Sequence, residues 1–366
     1  MARDRLRGGL WPARGPGGPC RDRRGDRHAA LRPGGRRRDG AARARGRARA
    51  LQLGGADAGP ARPVRGGHAV TAADAKRVPA LDALRLLGVG LVVGAHLFQR
   101  YGHPFGDPFG PKWLYWGTIG GIGVTLLIVL SGLLIERRYG GVPIGYGRFM
   151  RRRAAHLYPV YLIALALTLT VFGRGLPKAT WYVRVLDLFG VASLVGVRWK
   201  ALMLPMSWFL GVILALYALW PLLSRALARW PTATLLAALA MSVAARVLAF
   251  RYLPYERVLD WFLPCRVFEF TLGMWLARSP RIAAWLDRSA EGTSPRVTAA
   301  LAHAGAVSFP LYLIHGSVRD WALIDALPPT AFVAVFLVVS WAAAEVILAA
   351  ALPVERWLRG GRPVRA

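Results

Sequence analysis

Three ionisable side chains stand in one apolar stretch of this chain. Asp82, Arg85 and His96 lie within Val78-Pro-Ala-Leu-Asp-Ala-Leu-Arg-Leu-Leu-Gly-Val-Gly-Leu-Val-Val-Gly-Ala-His-Leu-Phe98. Ionisable groups are costly in lipid and usually face a bundle interior or a water-filled cavity. On a helix, the step from Arg85 to His96 turns the chain by only about 20° and carries it ~16 Å along the axis. Asp82 precedes Arg85 by one turn and can pair with it on that face. One helix face would thus present an ion pair near a membrane surface and an imidazole about three turns deeper. An imidazole can take a proton near neutral pH, and a guanidinium can hold phosphate. The plainer alternative is that Arg85 snorkels to the interface and His96 hydrogen-bonds a neighbouring helix. Three such residues on one face favour function over that alternative.

The elements that must position them follow from composition. Of 366 residues, 55% are hydrophobic and only 19% are charged, too few charges to clothe a soluble globule of this size. Apolar runs near the ~20 residues a helix needs to cross a hydrocarbon core fall at 79–99, 115–135, 155–173, 204–223, 231–250, 261–278, 299–318 and 330–352. A ninth stretch, 181–198, is interrupted by Arg184 and Asp187 and reads as a short, tilted or interfacial helix; if it spans, a tenth helix is needed. No strand-like alternation occurs, which excludes a barrel. The expected fold is therefore all-α, a polytopic transmembrane bundle of eight to about ten spans over residues 76–358, with a basic tail at 359–366. Arginines cluster after the second, fourth, sixth and eighth spans, including Arg151, Arg152 and Arg153. Loop charge of this kind places those loops and both termini in the cytoplasm.

Residues 1–75 read differently. Fifty-two of the first 70 are Ala, Gly, Pro or Arg, a composition that cannot offset its ordering entropy, so this arm is expected to be disordered. A translation start placed too early is an equally good explanation, and an arginine arm for nucleic acid is a weaker one. Cys20 and Cys265 give no disulfide framework, and no cluster has metal-ligand spacing.

Other polar residues inside the spans carry smaller signals. Glu269 lies beside Arg266 as a buried pair or part of a polar cavity. His315 follows Tyr312-Leu-Ile and fits a packing histidine better than a site residue. Ser131 and Gly132 fit close helix approach better than catalysis, since no Gly-x-Ser-x-Gly elbow is present. Trp208 and Tyr217 read as packing or interface aromatics. Simple topology explains Arg151–Arg153 better than a ligand does.

Together these motifs resemble the acyltransferase 3 family of integral-membrane O-acyltransferases. The resemblance rests on Val78-Pro-Ala-Leu-Asp-Ala-Leu-Arg85 with His96 after ten residues, Gly120-Gly-Ile-Gly-Val through Leu-Ser131-Gly, and Phe149-Met-Arg-Arg-Arg. It continues through Ser207-Trp-Phe-Leu, Arg266-Val-Phe-Glu-Phe, Ser308-Phe-Pro-Leu-Tyr-Leu-Ile-His315 and Val354-Glu-Arg356, in order over most of 78–358. Trp208-Phe-Leu is similar to the family's Trp-Phe-Leu branch. Two acidic positions of the family are missing: Thr125 stands where many members have a carboxylate, and Ile213 follows Trp208-Phe-Leu where others have Glu.

The resemblance implies transfer of an acyl group, commonly acetyl, from acyl-CoA as a donor substrate rather than a resident cofactor. The acceptor would be a hydroxyl of an envelope sugar, lipid-linked sugar or glycosylated metabolite. It implies catalytic roles for His96, Arg85 and Asp82. Arg85 and Arg151–Arg153 would hold the CoA phosphates, while Glu269, His315, Trp208 and Ser131 would line the acceptor region. Membrane lipid, donor and acceptor are the expected partners, in a bacterial plasma membrane, with no nucleic acid. The competing reading is a transporter or flippase-like protein in which Asp82, Arg85, His96 and Glu269 line a polar path. No internal repeat supports it.

Overall fold

The computed structural model describes residues 78–100, 119–176, 178–196, 201–252 and 261–359, all within the unit formed by residues 69–366. The arm over 1–75 and the tail beyond Arg359 lie outside them. The described residues form helices and turns, without strands. The helices are α1 (Pro79–Arg100), α2 (Ile119–Tyr139), α3 (Tyr146–Thr170), α4 (Trp181–Leu188), α5 (Trp208–Arg229), α6 (Pro231–Tyr252), α7 (Val267–Ala277), α8 (Pro280–Glu291), α9 (Pro295–Arg319), α10 (Ala322–Asp325) and α11 (Pro329–Leu358). Short 3-10 turns at Ala192–Val195, Pro205–Ser207 and Leu263–Arg266 join them.

Seven of these, α1, α2, α3, α5, α6, α9 and α11, are long and apolar enough to cross a membrane. The chain is a multi-pass membrane protein of the expected all-α type, with differences in the spans. The run at 261–278 is broken by the 3-10 turn carrying Pro264, leaving α7 with 11 residues. At 1.5 Å per residue it covers only about half of a ~30 Å core. The 181–198 stretch is likewise no span. Its eight-residue α4 ends in glycines with left-handed φ, Gly190 at 68° and Gly196 at 81°, on either side of a 3-10 turn. Asp187 explains the fold there. It is buried, accepting from the Met203 N–H and the Ser207 hydroxyl, and burial pushes its carboxyl above the ordinary range. A tenth span is therefore absent among the described residues. Finally, α3 begins at Tyr146 rather than near 155, because its basic first turns are helical as well.

Small residues let the helices meet. A Cβ on Gly132 of α2 would lie 2.1 Å from the Phe270 carbonyl oxygen, and one on Gly273 of α7 would lie 1.9 Å from the Val129 oxygen. Backbone-to-backbone approach of this kind is how membrane helices pack without a hydrophobic drive between them. Gly273→Ala should therefore cost about 1–3 kcal/mol as the helices are forced apart. A lowered thermal midpoint in detergent would show it, and an unchanged midpoint would refute the contact.

Pairs between helices define the two ends of the bundle. At one end Glu136 of α2 accepts from Trp220 Nε1 (2.8 Å), Ser224 Oγ (3.0 Å) and Arg278 Nε (2.8 Å). Arg137 meets Asp287 and His156 meets Glu355 there too. At the opposite end Arg100 pairs with Asp325, and Thr168 bonds Ser317. The expected arginine clusters share the first end.

Candidate active site

Arg85 donates to Asp82 at 3.0 Å, the pairing that their spacing predicts. Asp82 is 3% exposed and lies over α9, where a Cβ on Gly305 would come within 2.5 Å of its Oδ1. Only glycine leaves room for that carboxylate. The pair marks the arginine-rich end of α1. His96 sits one turn from the helix's other end, where its Nδ1 lies 3.0 Å from Nε2 of His315 on α9. The ring centroids are 5.0 Å apart. His315 is fully buried, and its Nδ1 lies 3.2 Å from the carbonyl oxygen of Leu311. The imidazole expected to act as the base is thus paired with the histidine expected to line the acceptor region.

A cavity of about 960 Å³ opens at the arginine-rich end and extends inward as far as Tyr312. Asp82, Arg85 and Ser131 line it, among apolar side chains such as Val89, Leu127 and Ile213. Tyr312 and Phe209 line it as well, with their rings 4.9 Å apart, and the Tyr312 ring lies 6.0 Å from His315. Beside its mouth is a second cavity of about 500 Å³, lined by Arg138, Arg148, Arg151, Arg152, Arg153 and Arg359. Arg138, Arg153 and Arg359 line both. Arg153 is held in place by a bond from its Nη2 to the Tyr139 hydroxyl (2.8 Å) and stacks over that ring at 5.2 Å. Six guanidiniums around one hollow suit a ligand with several phosphates, which arginine binds in a bidentate manner. Glu355, bonded to His156 and Arg359, tempers the charge at the shared rim.

The remaining expected site residues divide, Ser131 in the cavity wall and Glu269 and Trp208 outside it. The Ser131 hydroxyl donates to the Leu127 carbonyl (2.8 Å), so its proton is engaged within its own helix. Glu269 is 1% exposed and takes bonds from Arg266 (2.8 Å), Arg246 (3.3 Å) and Thr125 (3.2 Å), away from the cavity wall. Thr125, where the family often has an acid, thus receives a carboxylate from α7. Trp208 is buried against Phe209 and Trp261 and does not line the cavity. Tyr217, read from sequence as packing, does line it. Glu355 and Phe209 stand within motifs quoted from the sequence but carried no role there, and their pairing with His156 and Tyr312 becomes visible only in the fold. Tyr312 had one available signal, its place one turn before His315.

These features define an integral-membrane helix bundle in which a basic hollow adjoins a largely apolar cavity that ends at Tyr312, the neighbour of His315 in the histidine pair. A family model described as an acyltransferase domain, acyltransferase 3, matches residues 78–360. The chain belongs to that family and is a membrane acyltransferase. Comparison with curated proteins and with solved structures gave no match.

Proposed function

We propose that this protein moves an acyl group, acetyl in the simplest case, from acyl-CoA to a hydroxyl of a carbohydrate or similar acceptor. The arginine-rich end is the cytoplasmic one and receives the donor. The observation that carries this reading is the cavity itself, with a six-arginine hollow at one end and Tyr312, in contact with the histidine pair, at the other. The arginines hold the CoA phosphates, the apolar walls surround the thioester arm, and Asp82 keeps Arg85 pointed at the passage. A hydroxyl is a poor nucleophile until a base takes its proton, and His96 is that base. The acceptor oxygen attacks the thioester carbonyl, the carbon–sulfur bond breaks, and the CoA thiolate recovers the proton from His96. Loop charge supports the orientation, since basic loops face the cytoplasm.

Incubating the purified protein with labelled acetyl-CoA and a panel of sugars and glycosylated acceptors tests this. Label on an acceptor hydroxyl supports it. Label that accumulates inside liposomes without transfer would favour the transporter reading instead. Replacing Arg151 and Arg152 together with alanine should raise KM for acyl-CoA roughly tenfold or more, as charge-assisted phosphate contacts are lost, and leave kcat close to normal. A KM unchanged in low salt would return those arginines to topology alone.

A further inference from the structure

His315 is needed by neither the donor nor the acceptor in this scheme, yet it is fully buried and bonded at both ring nitrogens. We propose that His315 is a positioning residue that fixes the tautomer of His96, so that the lone pair accepting the hydroxyl proton resides on Nε2 of His96. The role deepens the reading of His96 as base and rests on it. The assignment of the tautomer itself stands on geometry alone.

A carbonyl oxygen can only accept a hydrogen bond, so the 3.2 Å contact with Leu311 places a hydrogen on Nδ1 of His315. A neutral imidazole carries one N–H, so Nε2 of His315 is an acceptor. That nitrogen lies 3.0 Å from Nδ1 of His96, and the hydrogen between the rings therefore belongs to His96. A neutral His96 then has its lone pair on Nε2. The other arrangement would need His315 as a cation with hydrogens on both nitrogens. It has no solvent exposure, and the guanidinium of Arg319 stands one turn further along α9, with Asp320 already paired to Arg319. A buried cation beside another positive charge is strongly disfavoured. The chain Leu311 carbonyl, His315, His96 thus has one direction.

This resembles in logic the orienting group of a catalytic triad, which holds an imidazole in its useful tautomer. Here a neutral imidazole performs the task inside a membrane bundle, where a carboxylate would bring a charge. The proton taken from the acceptor arrives at Nε2, makes His96 briefly cationic, and leaves to the thiolate. His315 changes no bond throughout.

The test is nitrogen NMR of the full chain in nanodiscs, labelled with 15N-histidine. Signals that vanish in His96→Asn identify His96. In the wild type at neutral pH, His96 should show a hydrogen-bearing Nδ1 and a lone-pair Nε2. His315→Leu should turn it to the Nε2–H form and lower kcat by roughly the 10²–10⁴-fold of a lost positioned base, with KM for acyl-CoA unchanged. His315→Gln, whose amide oxygen can accept from Nδ1–H of His96, should restore the wild-type tautomer and most of the rate. A wild-type His96 with hydrogen on Nε2 would overturn the proposal whatever the variants do, and so would an unaltered tautomer in folded His315→Leu. If the tautomers come out as expected but the wild type transfers no acyl group, the pair stands and the acyl-transfer reading falls.

Discussion

Replacing His96 with alanine is expected to lower turnover by roughly 10²–10⁴-fold while the protein still inserts and folds. His96 is half-buried near one end of α1, where its Nδ1 lies 3.0 Å from Nε2 of His315. Its removal leaves His315 bonded to the Leu311 carbonyl, with one ring nitrogen uncompensated, at a modest cost in stability of about 1–3 kcal/mol. Donor binding should be untouched, because the arginine hollow lies at the far end of the bundle, so KM for acyl-CoA should hold while kcat collapses. Equal falls in kcat and kcat/KM identify a group that acts only in the transition state. A folded His96→Ala protein with near-normal transfer would return the imidazole to helix packing. A labelled acyl group trapped on His96 would instead make it a nucleophile, with the acyl carbon on its ring nitrogen before the acceptor attacks.

Glu136→Ala should be the most destabilising of the single changes outside the histidine pair. This carboxylate is 4% exposed and satisfies Trp220, Ser224 and Arg278 at once, tying α2 and α5 to the residue that follows α7. Removing it leaves the Trp220 indole N–H without its acceptor and Arg278 with only its bonds to Ser224, and breaking a buried ion pair costs about 3–5 kcal/mol. The side chain of Arg278 is 31% exposed, which lets water recover part of that and points to the lower figure. Glu136→Gln keeps an acceptor for Trp220 and should cost less. The loss also spreads to the donor end. Trp220 lies 4.6 Å from Phe149 and 6.0 Å from Tyr139, ring to ring, and Tyr139 holds Arg153. Thermal unfolding in detergent measures the first effect and KM for acyl-CoA the second; an Ala variant with wild-type values of both would refute the role.

The residues that sequence alone revealed are those whose signal is local. Asp82, Arg85 and His96 share one helix, so their common face follows from helical geometry, and Arg266 with Glu269 is an i,i+3 pair of the same kind. Pairings between different helices left no trace, even where both residues stood out. His315 comes 219 residues after His96, and Arg246 reaches Glu269 from a different helix. A side chain's neighbours across a bundle depend on crossing angles that no single helix encodes. Trp208 and Ser131 show the converse. Their types suit a site, but rotation of α5 and α2 turns one into the core and commits the other's proton to its own backbone. Hydropathy placed most spans well and failed at 261–278, where it counts apolar residues without sensing that Pro264 and a buried ion pair divide them. It began α3 late for the opposite reason, since Arg151–Arg153 are polar and helical together.

Full-length protein reconstituted in a single orientation in liposomes can be given labelled acetyl-CoA on the side of Arg151 and Arg152, and a sugar acceptor only on the other. Label should appear on the acceptor hydroxyl across the bilayer while free CoA stays with the donor, and His96→Ala should abolish the transfer. Label that reaches the acceptor only when both substrates share one side would contradict a path from the arginine hollow to the histidine pair.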